Sequence, residues 1–177
     1  IYSDSFYGGH TLIGLGGQHY LFGFIAIFYN NHNSITTLYS HDHCTIAFFD
    51  IPPGLSSVEF IRSTPPQILS NIYEMLTIHI RDDFDRQQII NSKSVKVKLA
   101  RYMIYSSKNA GSMQFDIKMN RTELSNFLGA YRTTLSRELS QMEREGLIRT
   151  ERSLITILDY RKLLDIEMTS YYGAEDI

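Results

Sequence analysis

Residues 120–142, NRTELSNFLGAYRTTLSRELSQM, constrain this chain more than any other stretch. Their spacing predicts two short helices joined by a tight turn. Asn120 is placed to cap the first helix, and Glu123 follows three residues later to close a capping box. Leu124, Phe127 and Leu128 make one apolar face, and Gly129 supplies the left-handed residue that ends the helix. Leu135, Leu139 and Met142, spaced by four and then three residues, give the second helix a buried face. Its other face carries Arg132, Thr133, Ser136, Arg137 and Ser140, hydroxyls and arginines in place of the Glu/Lys mix of a plain solvated helix. Small Ser125, then Gly129 and Leu135, meet the packing needs of a helix-turn-helix. That motif sets the N-terminal end of its second helix in the major groove of DNA. A hairpin follows directly: residues 147–150, a polar turn at 151–153, and residues 154–158. Helix, turn, helix and hairpin together predict a winged helix.

Charge is distributed to match. The net charge of −2 hides three blocks. Residues 1–92 hold 3 Lys+Arg against 8 Asp+Glu, residues 93–152 hold 12 against 6, and residues 153–177 hold 2 against 5. A basic middle block that coincides with the helix-turn-helix is the electrostatic footprint of nucleic-acid binding. Apolar residues make up 43% of the chain, enough for a sizeable core, yet no run reaches the length of a membrane span. No signal peptide is evident, and the single cysteine, Cys44, excludes an internal disulfide and a four-cysteine iron–sulfur cluster within these residues. A cytoplasmic setting is expected. The chain opens on Ile1 in what reads as mid-domain, so a missing front is also expected.

Along the chain, residues 11–15, 20–28 and 45–49 are rich in aromatic and β-branched residues and read as strands, with glycines and Asn30, Asn31 and Asn33 between them. Pro52-Pro53-Gly54 and Pro65-Pro66 bracket a short connecting segment. Residues 67–90 read as one long helix of roughly 24 residues, about 36 Å. Leu69, Ile72, Leu76, Ile80 and Phe84 form an apolar stripe along it, and the first four are assigned to pairing with a second copy of the chain. Residues 92–107 read as a further amphipathic helix with Val95, Leu99, Tyr102 and Met103 inward and Lys93, Lys96, Lys98 and Arg101 exposed. Residues 114–118 read as a short strand.

The segments RTELSNFLG, RTTLSRELSQMEREGLI and SLITILD, with LFGFIAIF near the front, resemble the cyclic-AMP-receptor/fumarate-nitrate-regulator (Crp/Fnr) superfamily of bacterial transcription factors. The resemblance implies an α+β chain: an antiparallel effector β-roll over residues 1–66, a dimerisation helix over 67–91, a winged helix-turn-helix over 92–165 and a tail over 166–177. It implies a homodimer on an inverted repeat in double-stranded DNA, with RNA polymerase as a further partner if the regulator activates. Arg132, Thr133, Ser136 and Arg137 fall where base-reading residues are found, and a guanidinium at Arg137 suits guanine O6 and N7. Thr133 stands where many members have Glu, so the half-site is expected to differ from theirs. Arg121 and Thr122, with Tyr131 and Thr134, are assigned to phosphates. Tyr131 replaces the Ser or Asp that commonly caps the recognition helix.

Members that bind cyclic nucleotides carry a Glu just after the glycine turn and an Arg about ten residues on. Here Phe24 follows Gly23, Asn33-Ser34 falls near the arginine position, and residues 1–61 contain no Lys or Arg. A buried phosphate without a cation is costly, so control by cyclic AMP is not expected. No cofactor is expected either, and the effector stays open. Five of the six histidines lie in the first 43 residues, and His41-Asp42-His43-Cys44 is the only local cluster resembling a ligand set. A regulator that answers to haem or metal through these histidines is the alternative. His41 and His43 read first as a polar loop end, because residues 46–49 lack the carboxylate a cupin-type site wants. Nothing stands out as a nucleophile–base pair or a carboxylate pair, so no enzyme is expected. Asp82, Asp83 and Asp85 read as a solvated helix face.

Overall fold

A computed structural model describes residues 2–4, 10–12, 20–23, 36–40, 43–49 and 55–169. The chain is α+β and forms two compact units, one ending at Arg81 and the other beginning at Asp82.

In the first unit, β1 (Tyr2–Asp4), β2 (His10–Leu12) and β3 (Thr36–Thr37) make an antiparallel sheet of order β2-β1-β3, with Tyr2 opposite both Leu12 and Thr37. The strand expected at residues 20–28 does not form over Tyr20–Gly23, and the rest of it lies outside the described residues. Nor does one form at residues 45–49, where Ile46, Phe48 and Phe49 stand 55%, 87% and 80% exposed. Aromatic and β-branched composition favours a strand only where a neighbouring edge and an apolar face are there to receive it. The segment read as a connection holds a helix, α1 (Ser57–Ser63). Its signal was local: Ser56 accepts from the Glu59 N–H in a capping box, and the Glu59 carboxylate takes the Ser56 hydroxyl and then its N–H, which hold the Glu59 carboxyl below its ordinary range.

The long helix, α2 (Pro66–Ile90), starts on proline at its first helical position, where a missing N–H costs nothing. Its half-buried side runs through Ile72, Met75, His79, Asp82 and Arg86 to buried Ile89, in alternating steps of three and four. Successive four-residue steps instead rotate about 40° each around the axis. Leu69, Ile72 and Leu76 therefore remain half-buried, whereas Ile80 and Phe84 swing out to 68% and 63% exposure, alongside Tyr73 at 72%.

The second unit adds α3 (Val95–Ala110), β4 (Gln114–Asp116), α4 (Arg121–Phe127), α5 (Arg132–Arg144), β5 (Ile148–Glu151), β6 (Leu154–Ile157) and α6 (Tyr160–Met168). The helix read at 92–107 starts later, because Ser94 is its cap, and ends on Gly111 at φ +59. β4, β6 and β5 form an antiparallel sheet in that order, and β5 and β6 are the expected hairpin. α6 continues to Met168, past the expected edge of the domain at 165. The core includes Leu99, Met103, Leu124, Leu128, Leu135, Met142, Leu147, Ile148, Ile155 and Leu163, its largest fully buried side chains. Burial of such a side chain contributes about 1.5–3 kcal/mol.

α3 lies at the centre of this unit, against α5, α6 and β4, and is buried on more than one face. That overturns the expected exposure of Lys96, Lys98 and Arg101. Arg101 is not exposed: only 8% of it reaches solvent, and it donates to the Gln88 carbonyl at 2.6 Å and the Ser92 hydroxyl at 2.9 Å. Lys98 is half-buried rather than free in water. A helix surrounded by partners hides the stems and even the heads of its charged residues, provided each head finds an acceptor.

Candidate nucleic-acid interface

The helix-turn-helix is built by caps and one glycine. The Asn120 carboxamide accepts from the N–H groups of Thr122 and Glu123 at 2.9 and 3.0 Å, and the Glu123 carboxylate takes the Asn120 N–H at 2.8 Å. Gly129 sits at φ +56, where an L side chain is strained, and ends the first helix as its position predicts. Ser125 is buried and donates to the Thr122 carbonyl of its own helix. Lys98 reaches from α3 to the turn, and its ammonium donates to the carbonyls of Leu128 at 2.9 Å and Gly129 at 3.1 Å. Desolvation there lowers the Lys98 pKa from its ordinary value.

α5 buries Leu135, Leu139 and Met142 and turns its opposite face outward. Arg132, Thr133, Ser136, Arg137 and Ser140 are all exposed, on one side of one helix. Arg137 keeps 75% of its side chain in solvent and lies 3.8 Å from the Glu138 carboxylate, a loose pair that leaves the guanidinium accessible. Thr134 is half-buried. Tyr131 occupies the cap position of α5 in extended conformation, makes no side-chain cap bond and is 85% exposed. At the start of α4, Arg121 is half-buried and Thr122 exposed.

The far end of α5 is pinned on two sides. Glu143 takes the N–H of Thr150 on β5 at 2.8 Å and also the Thr150 hydroxyl. Lys96 of α3 bonds Glu145 at 2.7 Å, and that contact, with one from Gln141, holds the Glu145 carboxyl below its usual range. At the wing tip, Arg152 adopts φ 58, an uncommon conformation for a residue with a Cβ. A cleft of about 290 Å³ lined by Asn120, Arg121, Thr150, Arg152 and Ser153 lies between the wing and the start of α4. Sequence reasoning passed over Lys98 and Arg152. No local pattern announces Lys98, whose acceptors lie 30 and 31 residues away.

His43 is exposed, and His41 lies outside the described residues. Among the described residues no three His, Cys, Asp or Glu side chains converge into a metal site, and no helix is long and apolar enough to cross a membrane.

Residues 97–166 match the family described as the Crp-like helix-turn-helix domain. The chain is 27% identical over 99 residues to the transcriptional activator protein FnrA of Stutzerimonas stutzeri, covering 53% of this chain and 41% of that one. It is 26% identical over 156 residues to the anaerobic regulatory protein of Pasteurella multocida, covering 85% and 55%. The chain thus spans about half the length of the curated relatives it matches. In fold it is similar to FixK2 from Bradyrhizobium japonicum, with TM-score 0.54 and 19% identity over 63% of this chain and 57% of that one. A mutant of CooA from Carboxydothermus hydrogenoformans gives TM-score 0.53 and 17% identity over 62% and 53%.

Proposed function

We infer a DNA-reading role from one premise: the chain belongs to the Crp/Fnr family of transcriptional regulators. It binds double-stranded DNA sequence-specifically as a homodimer, in the cytoplasm, on an inverted repeat whose half-sites lie about one helical turn apart. The observation that carries this is the outward face of α5, where Arg132, Thr133, Ser136 and Arg137 are exposed together while Leu135, Leu139 and Met142 fix the helix from behind. Arg137 reads a guanine bidentately, Thr133 and Ser136 offer hydroxyls to neighbouring base edges, and Arg132 joins them. Arg121, Thr122, Tyr131 and Thr134 hold the flanking phosphates and set the register. Pairing runs along α2, where Ile80 is exposed and Leu69, Ile72 and Leu76 are half-buried. RNA polymerase is a further partner if the regulator activates.

Control by cyclic AMP is not expected, since residues 1–61 hold no Lys or Arg to pair with a cyclic phosphate. The experiment is selection on random duplexes at one fixed salt concentration, with and without cyclic AMP. A palindromic consensus, the same in both arms and degraded at one position per half-site by Arg137→Ala, is the expected result. Enrichment of no sequence, or one unchanged by Arg137→Ala, overturns the reading.

A further inference from the structure

The end of α2 meets the helix-turn-helix at two places and α3 at two more. The Arg86 guanidinium carbon stands 5.0 Å from the centroid of the Phe127 ring, and Phe127 is the last residue of α4. The same ring packs edge-to-face with Tyr102 of α3, with centroids 5.8 Å apart and planes at 67°. Two residues further on, the Cγ2 of Ile90 lies 3.7 Å from where a Cβ would stand on Gly129, the pivot of the turn. Arg101 grips the Gln88 carbonyl and the Ser92 hydroxyl, and the Tyr105 hydroxyl donates to Asp82 at 3.2 Å. Consistently, the second compact unit begins at Asp82, inside a continuous helix and not at the loop that follows it.

We propose that residues 82–90 of α2 work as part of the helix-turn-helix, and that Arg86 is a positioning residue for DNA recognition, acting through Phe127. The chemistry is directional. A guanidinium over an aromatic face holds distance and orientation together, which an aliphatic contact does not. Phe127 thus contacts both that cation and Tyr102, which ties the end of α4 to the end of α2 and to α3. Gly129 and Tyr131 follow within four residues and lead straight into α5. The apolar core between α4 and α5 is complete without Arg86, which is only half-buried. Arg86 therefore sets where the motif sits on α2 rather than whether it folds. Desolvation by these neighbours lowers the Arg86 pKa, with nearby Asp83 opposing the shift.

The binding arm of the test rests on the DNA-reading function above; the exchange arm does not. Hydrogen exchange is measured on the whole chain, in the native protein and in Arg86→Met and Arg86→Lys. Amides of residues 83–90 are expected to share the denaturant dependence of α3 and to differ from those of residues 70–80. Arg86→Met should release that protection and lower affinity for a paired site by about tenfold, with affinity for a duplex carrying one half-site held within about twofold. Arg86→Lys should recover part of the loss. The proposal is overturned if residues 83–90 exchange with residues 70–80, if Arg86→Met leaves their protection intact, or if it weakens single and paired sites equally. A native protein that enriches no duplex defeats the DNA-reading function alone, and the exchange arm still decides whether the end of α2 moves with the helix-turn-helix.

Discussion

Tyr131 sits at the one helix start in the helix-turn-helix that no side chain caps. Asn120 shows the contrast ten residues earlier, where one carboxamide serves two N–H groups at the start of α4. Both situations were legible in the sequence, since capping depends on a residue and its next three neighbours and on nothing remote. An exposed phenol in place of a cap gives up stability, and contact with a DNA phosphate is a use that would repay it. Tyr131→Asn should therefore raise the unfolding free energy by about 1 kcal/mol and weaken DNA binding at the same time. Thermal denaturation and a binding titration on the same preparation check both halves. A stabilised variant with unchanged affinity would remove Tyr131 from the phosphate contacts. Arg152 differs in kind, because its left-handed backbone is set by the geometry of the β5–β6 turn, and nothing about an arginine announces it.

At the scale of elements, what could be read was what repeats locally. The faces of α5 followed from Leu135, Leu139 and Met142 alone, and the wing from two short apolar runs around a polar turn. α3 was misread in part because a helix with partners on several sides buries Arg101 and half-buries Lys98 through contacts made by residues far along the chain. Along α2, four-residue steps carry Ile80 and Phe84 away from the side that Ile72, Met75 and His79 occupy. That divergence sharpens the expectation for dimerisation. Tyr73, Ile80 and Phe84 leave a wide apolar strip in water, which a second copy is suited to cover. Ile80→Glu should convert a dimer to a monomer in sedimentation equilibrium while leaving the helical content unchanged. If the protein sediments as a dimer with Glu at that position, the pairing surface lies elsewhere.

For the whole molecule, the separation of charge matters more than its sum. Lys+Arg outnumber Asp+Glu by 12 to 6 in residues 93–152, whereas acidic residues predominate before position 93 and after 152, so the proposed DNA contact falls in the basic block of the sequence. Binding should accordingly fall steeply with salt, as condensed counterions are released on contact with basic groups. The two kinds of arginine ought to separate in that dependence. Arg121, at the start of α4 beside the wing cleft, is assigned to a phosphate, so Arg121→Ala should lower the slope of log affinity against log salt by about 1 per subunit, uniformly across sequences. Arg137, exposed on α5, is assigned to a base, so Arg137→Ala should leave most of the slope in place and instead relax the preference at one position of each half-site, by about 1–3 kcal/mol. Titrations at four or five salt concentrations, on the selected site and on one carrying a single changed base pair, measure both quantities together. Equal loss of slope in the two variants would mean that Arg137 also serves the backbone, and base reading would then have to rest on Arg132, Thr133 and Ser136.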